Sequence, residues 1–276
     1  MTISIITPSF RNSEWLKLCI ASVADQGLAV EHIVQDAGSD DGTLDWLPSD
    51  KRVKTFVERD RGMYDGINRG LQKASGEILA YLNCDEQYLP GALKLVLQFF
   101  KEHPDIEVAF GHTVAVDVAG KYLWHRKVLV PTRAHTAVLP LSTLTCATFF
   151  RRSLIAKRKI GFDPAWRYCG DCVWILAMLD AGVPMAVIPQ FTSVFTHTGS
   201  NLSLDAKAQE EARKFWAAAP AWNQQLRPLV LLHHRLRRWL GGIYSQRPFD
   251  FSLFTHESPH ARVSRHVQRP TFRWRW

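Results

Sequence analysis

The sequence predicts an α/β fold: a mixed, mainly parallel sheet with flanking helices, followed by a basic helical extension. Three observations predict it. Over residues 1–100, short β-branched or apolar runs alternate with runs of helical period, the pattern of βαβ units. Polar residues capable of chemistry directly follow the apolar runs, at Pro8-Ser9-Phe10-Arg11, Asp36 and Asn83-Cys84-Asp85-Glu86, and open parallel sheets bind ligands beyond such strand ends. The charge is also lopsided. Residues 1–204 hold 21 Lys and Arg against 21 Asp and Glu, whereas residues 205–276 hold 13 against 5, so the whole net charge of +8 lies in the last quarter. Five of the ten Trp lie there too. The division this suggests is one domain over residues 1–204 and a basic, Trp-rich, helical or irregular extension over residues 205–276.

Each element follows from its local pattern. Residues 2–7 form a β-branched run stopped by Pro8. Residues 14–26 place Trp15, Leu16, Cys19, Ile20 and Val23 at helical spacing and end at Gly27. Residues 30–35 are strand-like and run into the loop chemistry of Asp36-Ala37-Gly38-Ser39-Asp40-Asp41-Gly42. A strand over 53–58, a helix over 63–74 and a strand over 78–82 come next, and Pro90 suits the first turn of a helix reaching about His103. Residues 108–118 and 122–130 read as a hairpin around Ala119-Gly120 and 148–151 as a strand. Residues 171–181 read as a helix ended by Gly182, and 185–188 and 191–196 as two strands. Residues 205–216 form a charged helix and 228–240 a basic amphipathic one, while 243–276 show no period and are expected to be irregular.

Composition sets further bounds. At 46% apolar, the chain can bury a sizeable core. No uninterrupted run of 18 apolar residues reads as a spanning helix. The first strand begins without the charged and apolar regions of a signal peptide, and five scattered Cys argue for reduced thiols rather than a disulfide framework. The expectation is a cytoplasmic protein, or one peripheral on the cytoplasmic face of a membrane.

Four segments, in order, carry a resemblance. They are SIITPSFRN (residues 4–12), QDAGSDDGT (35–43), ERDRGMYDGINRGLQKASGEILAYLNCDE (58–86) and YCGDCVWILAMLDAG (168–182), the last followed by FTHTGSNLS (195–203). Over residues 1–204 the chain resembles a family 2 glycosyltransferase of the GT-A (Rossmann-like) fold. The resemblance implies an inverting transferase that uses a UDP- or GDP-type nucleotide sugar. The acceptor would be a saccharide or polyprenyl-linked saccharide, and the setting cell-surface glycan assembly, such as lipopolysaccharide or other polysaccharide. It implies donor contacts at Pro8, Phe10, Arg11 and Asp36, diphosphate contacts from Arg61 and Arg69, and a loop or ribose contact from Asn83. It also implies a Mg²⁺ or Mn²⁺ site at Asp85 with His197 nearby, and Asp171 as the general base. The family often has two adjacent acids where this chain has Asp36-Ala37, and its acidic metal motif is thinned here to Asn83-Cys84-Asp85. A divalent cation held by one or two protein carboxylates, its shell completed by phosphates and water, would neutralise the leaving diphosphate.

Plainer readings exist for each residue. Asp36 with Gly38 and Asp41 can be a polar turn. Asp85, and more so Glu86, can be solvated acids at a helix start, and Asp171 a helix cap. Cys169-Gly170-Asp171-Cys172 lacks the second pair a zinc ribbon needs and reads as thiols packing around Asp171. His197 reads equally as a structural histidine. The helix over 228–240 suits an anionic membrane surface, then a packed extension, with nucleic acid last because no nucleic-acid module accompanies the charge. A nucleotidylyltransferase would need a Gly-rich, Lys-containing loop that residues 9–13 lack. A catalytically inactive nucleotide-sugar-binding or scaffold protein of the same fold is the remaining alternative.

Overall fold

The computed structural model describes residues 1–199, 201 and 205–272. Strands β1 (Ile3–Ser9), β2 (Val30–Asp36), β3 (Lys54–Val57) and β4 (Ile78–Tyr81) run parallel in the order β3-β2-β1-β4. Helices α1 (Ser13–Ala24), α2 (Thr43–Trp46) and α3 (Met63–Lys73) lie in the connections. The central strands are apolar on both faces because helices cover both. Ile3, Ile5, Ile6, Ile33, Ile78, Leu79 and Ala80 are at most 1% exposed. Gly70 lets α3 lie close on the sheet, since a Cβ there would come within 2.4 Å of the Ile6 side chain.

Beyond β4 the sheet becomes mixed. A three-residue strand, β5 (Glu86–Tyr88), forms where the sequence suggests a solvated turn. Helix α4 (Ala92–Glu102) starts from Gly91 in the left-handed region (φ 71°), so Pro90 precedes the helix instead of occupying its first turn. The expected hairpin of β6 (Val108–Asp117) and β7 (Tyr122–Arg126) follows, then α5 (Arg133–Thr136), β8 (Thr148–Arg151), α6 (Ser153–Ala156), α7 (Gly170–Asp180) and β9 (Met185–His197). Strand β8 is antiparallel to β4 and β6, β6 is parallel to β9, and β9 is antiparallel to β5. The two strands expected over 185–196 are one, because the break at Pro189 is absorbed where the β6–β9 register shifts between Phe110 and His112.

The C-terminal segment holds α8 (Ala206–Ala217), α9 (Ala221–Gln225), α10 (Arg227–Leu240) and a hairpin of β10 (Phe249–Thr255) and β11 (Ser258–Val267). The hairpin corrects the expectation of irregular structure after residue 243. Its inward residues Phe251, Leu253 and Val267 share a core with Leu89, Val114, Val116 and Val194, while the rest of β11 is polar and open to solvent, which hides the strand period. Gln87 and Phe254 exchange two hydrogen bonds, of 2.8 and 2.9 Å. Arg262 pairs with Asp25 after α1 and donates to the Tyr88 and Ser252 carbonyls at 3.0 and 3.1 Å. The boundary at residue 204 thus separates sequence character, and the hairpin completes the core of the preceding residues. No described helix is long and apolar enough to cross a membrane.

Two predictions follow from these ties. Arg262→Ala should cost about 2–4 kcal/mol in urea unfolding, because it leaves Asp25 and two carbonyls without their donor; a loss under about 0.5 kcal/mol would show that the hairpin docks by apolar contact alone. Glu31 joins β2 to β3 through Lys54 (2.7 Å) and to the α3–β4 turn through Ser75 (2.7 and 3.0 Å), with Ser4 as a further donor. Burial raises its carboxyl pKa, but the hydrogen bonds from Lys54, Ser4 and Ser75 outweigh burial and hold it at about 2, against an ordinary 4.5. A carboxylate with a depressed folded pKa stabilises fully above its unfolded value and loses that contribution as pH falls towards the folded one. Glu31→Gln should therefore be less stable than the parent at pH 7, with the gap closing between pH 4.5 and about 2; a gap constant with pH would refute this.

Candidate active site

The carboxyl ends of β1, β2 and β4 meet at one edge of the sheet. Register places Ser9 beside Asp36, and the Cys84 thiol donates to the Pro8 carbonyl at 3.2 Å, so the first three predicted segments converge. Asp36 is fully buried. One carboxylate oxygen accepts from the Gly38 and Ser39 amides (2.9 and 2.7 Å) and the other from the Ser39 hydroxyl (2.8 Å). Ser39 Oγ in turn accepts from the Arg11 amide at 2.8 Å, which holds Arg11 at φ 52°, a left-handed conformation uncommon outside glycine. The Arg11 side chain pairs with Asp40 and lies 5.0 Å from the centre of the half-exposed Phe10 ring. Pro8, Phe10, Arg11 and Asp36 thus form one cluster, with Asp36 as its organising acceptor.

Asp60 belongs to the same neighbourhood, although the sequence analysis did not single it out. A Cβ on Gly66 would come within 2.7 Å of its carboxylate and 3.8 Å of Pro8 Cβ. Burial first, then the charges of Asp65 and Asp36, push its carboxyl up. The signal was available, since Asp60 follows the third strand as Asp36 follows the second. Arg61 and Arg69 both pair with Asp65, at 3.1 and 3.2 Å, and Arg69 also reaches Glu58 at 3.6 Å. They sit beside the cluster, with their charges already engaged.

The end of β4 departs most from the plain reading. Glu86 is not a solvated acid: it is 2% exposed, lies opposite Phe195 on β9, and accepts from the Asn83 amide at 2.8 Å. Burial first, and then the Asp85 charge, raise its carboxyl strongly, which favours its protonated form. Burial raises Asp85 as well. The antiparallel β5–β9 pairing runs Asp85 towards the end of β9, where Asn201 donates to Asp85 at 3.2 Å and to the Thr196 carbonyl at 3.0 Å. His197, at that same end, packs edge-on to Trp124 with ring centres 5.5 Å apart. Burial first, then the Arg126 charge, lower its pKa and favour the neutral ring.

Two buried atoms here, Asn83 Oδ1 and His197 Nε2, have no hydrogen-bond partner among the described residues. An unprotonated imidazole, an amide oxygen and a carboxylate form a donor set that suits Mg²⁺ or Mn²⁺. The described residues contain no group of three or more His, Cys, Asp or Glu placed to hold a metal by themselves.

Asp171 lies within electrostatic reach of the buried Tyr81. That buried phenol is pushed up by burial first, then by the charge of Asp171, with Glu86 a further contributor. Asp171 is one residue inside α7 and not its cap: its carboxylate accepts from the Cys172 amide at 2.8 Å, and its own amide donates to the Tyr64 hydroxyl at 3.1 Å. Burial raises its carboxyl. Gly170 makes this packing possible, since a Cβ there would fall 2.6 Å from the Tyr64 ring. The two neighbouring thiols are raised mainly by burial, as packed thiols should be. A residue from beyond 204 fixes the loop: Glu211 on α8 accepts from the Arg167, Tyr168 and Cys169 amides at 2.9, 2.6 and 2.6 Å. No local pattern marks it, because its partners lie more than 40 positions away.

Comparison with known proteins gives a family and a fold. The profile of the family described as "Glycosyl transferase family 2" matches residues 4–162. The chain is 32% identical over 127 residues to an uncharacterized glycosyltransferase of Rickettsia bellii, covering 44% of this chain and 18% of that protein. It is 32% identical over 118 residues to a PGL/p-HBAD biosynthesis glycosyltransferase of Mycobacterium tuberculosis, covering 40% of this chain and 46% of that protein. It is 33% identical over 103 residues to the GalNAc(5)-diNAcBac-PP-undecaprenol beta-1,3-glucosyltransferase of Campylobacter jejuni, covering 35% and 33%. The matched stretches thus span less than half the length of each relative. Among solved structures, S. aureus TarS with UDP-GlcNAc superposes with a TM-score of 0.64 at 18% identity, over 88% of this chain and 75% of that one. The mannosyltransferase PcManGT from Pyrobaculum calidifontis with GDP-Man and Mn²⁺ gives 0.53 at 14%, over 87% and 83%. At these identities the structural likeness is one of fold.

The Glu211 contacts generate a prediction that is independent of activity. In Glu211→Ala, amide exchange at Tyr168 and Cys169 should accelerate by about tenfold or more, since hydrogen bonds to a charged group contribute about 1.5–3 kcal/mol, while exchange in β1 and β4 stays as in the parent. Unchanged protection at both amides would mean that the loop is held elsewhere.

Proposed function

From the premise that this chain belongs to glycosyl transferase family 2, we propose that it transfers a sugar, with inversion, from a UDP- or GDP-type nucleotide sugar to a saccharide or lipid-linked saccharide in glycan assembly. The observation that carries the reading is the convergence of Asp36 and Asp85 at the ends of β2 and β4, with the partnerless Asn83 Oδ1 and His197 Nε2 at the ends of β4 and β9 and the charge of Asp171 felt at Tyr81. UDP-GlcNAc in one fold neighbour, GDP-Man with Mn²⁺ in another and an undecaprenol-linked substrate in the name of one relative support the donor and acceptor classes.

The residues have separable tasks. The Pro8–Asp36 cluster receives the base and ribose. Asp85, with His197 and Asn83, would hold Mg²⁺ or Mn²⁺; when bound, such an ion neutralises charge on the leaving diphosphate. Asp171 takes the proton of the acceptor hydroxyl as its oxygen bonds to the anomeric carbon and the carbon–oxygen bond to the diphosphate breaks, releasing the nucleoside diphosphate. Burial makes its carboxylate a better base than a solvated one. Glu86, favoured in its protonated form, supports the loop through the Asn83 amide.

A membrane-peripheral placement fits the same reading. On α10, Val230 and Leu231 pack against residues 137–139, while Leu229, Leu232, Leu236, Trp239 and Leu240 are more than half exposed beside Arg235. Such a face lies on anionic lipid.

A panel of UDP-, GDP-, CMP- and dTDP-sugars with Mn²⁺, read by calorimetry and by release of nucleoside diphosphate, tests the activity. One donor should bind and turn over. Asp85→Asn should remove the Mn²⁺ dependence of binding, and Asp171→Asn should keep binding but lower transfer by on the order of a hundredfold or more. Donor binding without turnover by the parent chain, across a panel of acceptors, would favour the scaffold alternative. For the membrane, Leu232→Glu with Leu236→Glu in the full chain should abolish flotation with anionic vesicles; undiminished flotation would refute that placement.

A further inference from the structure

A second cavity, of about 220 Å³, opens between β7, residues 135–142 and α10. Its walls include His125, Arg126, Lys127, His135, His234 and Arg238, and no described lining residue is a carboxylate. Neutral groups hold Lys127 and Arg238 in place. Lys127 donates to the Gly242 and Ser245 carbonyls at 3.3 and 2.9 Å, and Arg238 lies 4.8 Å over the Tyr244 ring. Neither makes an ion pair with a described residue, and the next residue, Arg237, donates to the Val130 carbonyl at 3.0 Å. His135 and His234 stack face to face with ring centres 3.8 Å apart. Both are at least nine-tenths buried, as is His125, and His135 Nδ1 and His125 Nε2 have no hydrogen-bond partner among the described residues. Buried polar atoms are ordinarily satisfied. Here they line a cavity whose charged side chains, Arg126, Lys127 and Arg238, are all cations.

Size and position narrow the ligand. The cavity has several times the volume of a water, about 30 Å³ in the liquid, yet falls below the roughly 300 Å³ of sites that enclose drug-sized molecules. It therefore suits an anionic headgroup and not a nucleotide sugar. It also lies next to the candidate active site: Trp124 lines it and packs against His197, and Arg126 lines it with its charge felt at His197. On its other side, α10 contributes His234 and Arg238 inward and Leu232 and Leu236 outward.

We propose that this cavity binds the phosphoryl or diphosphoryl group of a lipid-linked acceptor, separately from the donor's diphosphate, with the acceptor's apolar chain running along the exposed face of α10. The proposal rests on the transferase reading above and names the acceptor class. Electrostatics support it: burial first, then Arg237 and Arg238, push His135 to about 4, and burial first, then His135 and the arginines, push His234 to about 3. The stacked imidazoles are thus neutral donors and acceptors beside permanent guanidinium charges, and an anion would relieve the repulsion among the cations.

The test uses the full chain in EDTA, where donor binding through a divalent cation is silent, with inorganic pyrophosphate and farnesyl diphosphate as probes. Pyrophosphate should bind at one site, shift the imidazole NMR signals of His135 and His234, and bind at least about tenfold more weakly to Arg238→Gln. Farnesyl diphosphate should bind more tightly than pyrophosphate. Shifts confined to His197, or affinity unchanged in Arg238→Gln with the parent's imidazole signals unmoved, would overturn the site. Equal or weaker binding of the prenylated probe would overturn its assignment to a lipid-linked acceptor. Nucleotide-sugar binding with Mn²⁺ on the same samples separates the two levels: if it persists while the cavity is silent, only this inference fails, and if it is absent across the panel, the transferase reading fails.

Discussion

Two adjacent acids, the partly exposed Asp85 and the buried Glu86, are held at a strand end, and the architecture around them follows from how each is accommodated. An isolated buried carboxylate costs far more than a domain's net stability allows, so it must take a proton, a donor or a cation. Glu86 is pushed towards its protonated form and accepts from the Asn83 amide. Asp85 accepts from the Asn201 side-chain amide, and Asn83 Oδ1 and His197 Nε2 are buried without a hydrogen-bond partner among the described residues. The short pairing of β5 with β9 imposes this, because it draws Glu86 into the sheet opposite Phe195.

That pairing depends in turn on the last quarter of the chain. The hairpin of β10 and β11 closes the face shared by β6 and β9, the Gln87–Phe254 bonds fix β5 from outside, and Arg262 ties the hairpin to the end of α1. At the start of α7, α8 supplies Glu211 to the loop that precedes Asp171. A segment that looks like an appendage by composition therefore supports both halves of the candidate site.

What could be read in sequence was what depends on neighbours in sequence. The strands β1 to β4, α3 and α7 follow from local periodicity, and Asp36, Asp85 and Asp171 from their places at strand and helix ends. Asp60 obeys the same rule and was legible in principle. Glu86 was not, because its burial is decided by a strand more than a hundred residues later, and an acid one residue from another ordinarily faces water. The hairpin was hidden because β11 buries few residues, so its period is that of its polar face. The resemblance added roles, and the structure adds that Asn83 Oδ1 and His197 Nε2 are buried without a hydrogen-bond partner among the described residues.

The lopsided charge shows why composition has to be resolved residue by residue. A surplus of eight positive charges in the last quarter suggests one basic surface. The structure divides it. Arg262 is engaged by Asp25 and by strand carbonyls, and Arg265 donates to the Ala119 and Gly120 carbonyls, so both serve the hairpin. Lys214 pairs with Glu210 on the surface of α8. Along α10 the arginines meet only carbonyls and an aromatic ring among the described residues, and there one face of the helix borders a cavity while the other exposes leucines. Charge that is neutralised internally stabilises the fold, whereas charge held by neutral dipoles stays available to an anion. By that criterion the basic character of the tail is concentrated along α10, which is where the lipid phosphate proposed above would use both faces of the helix.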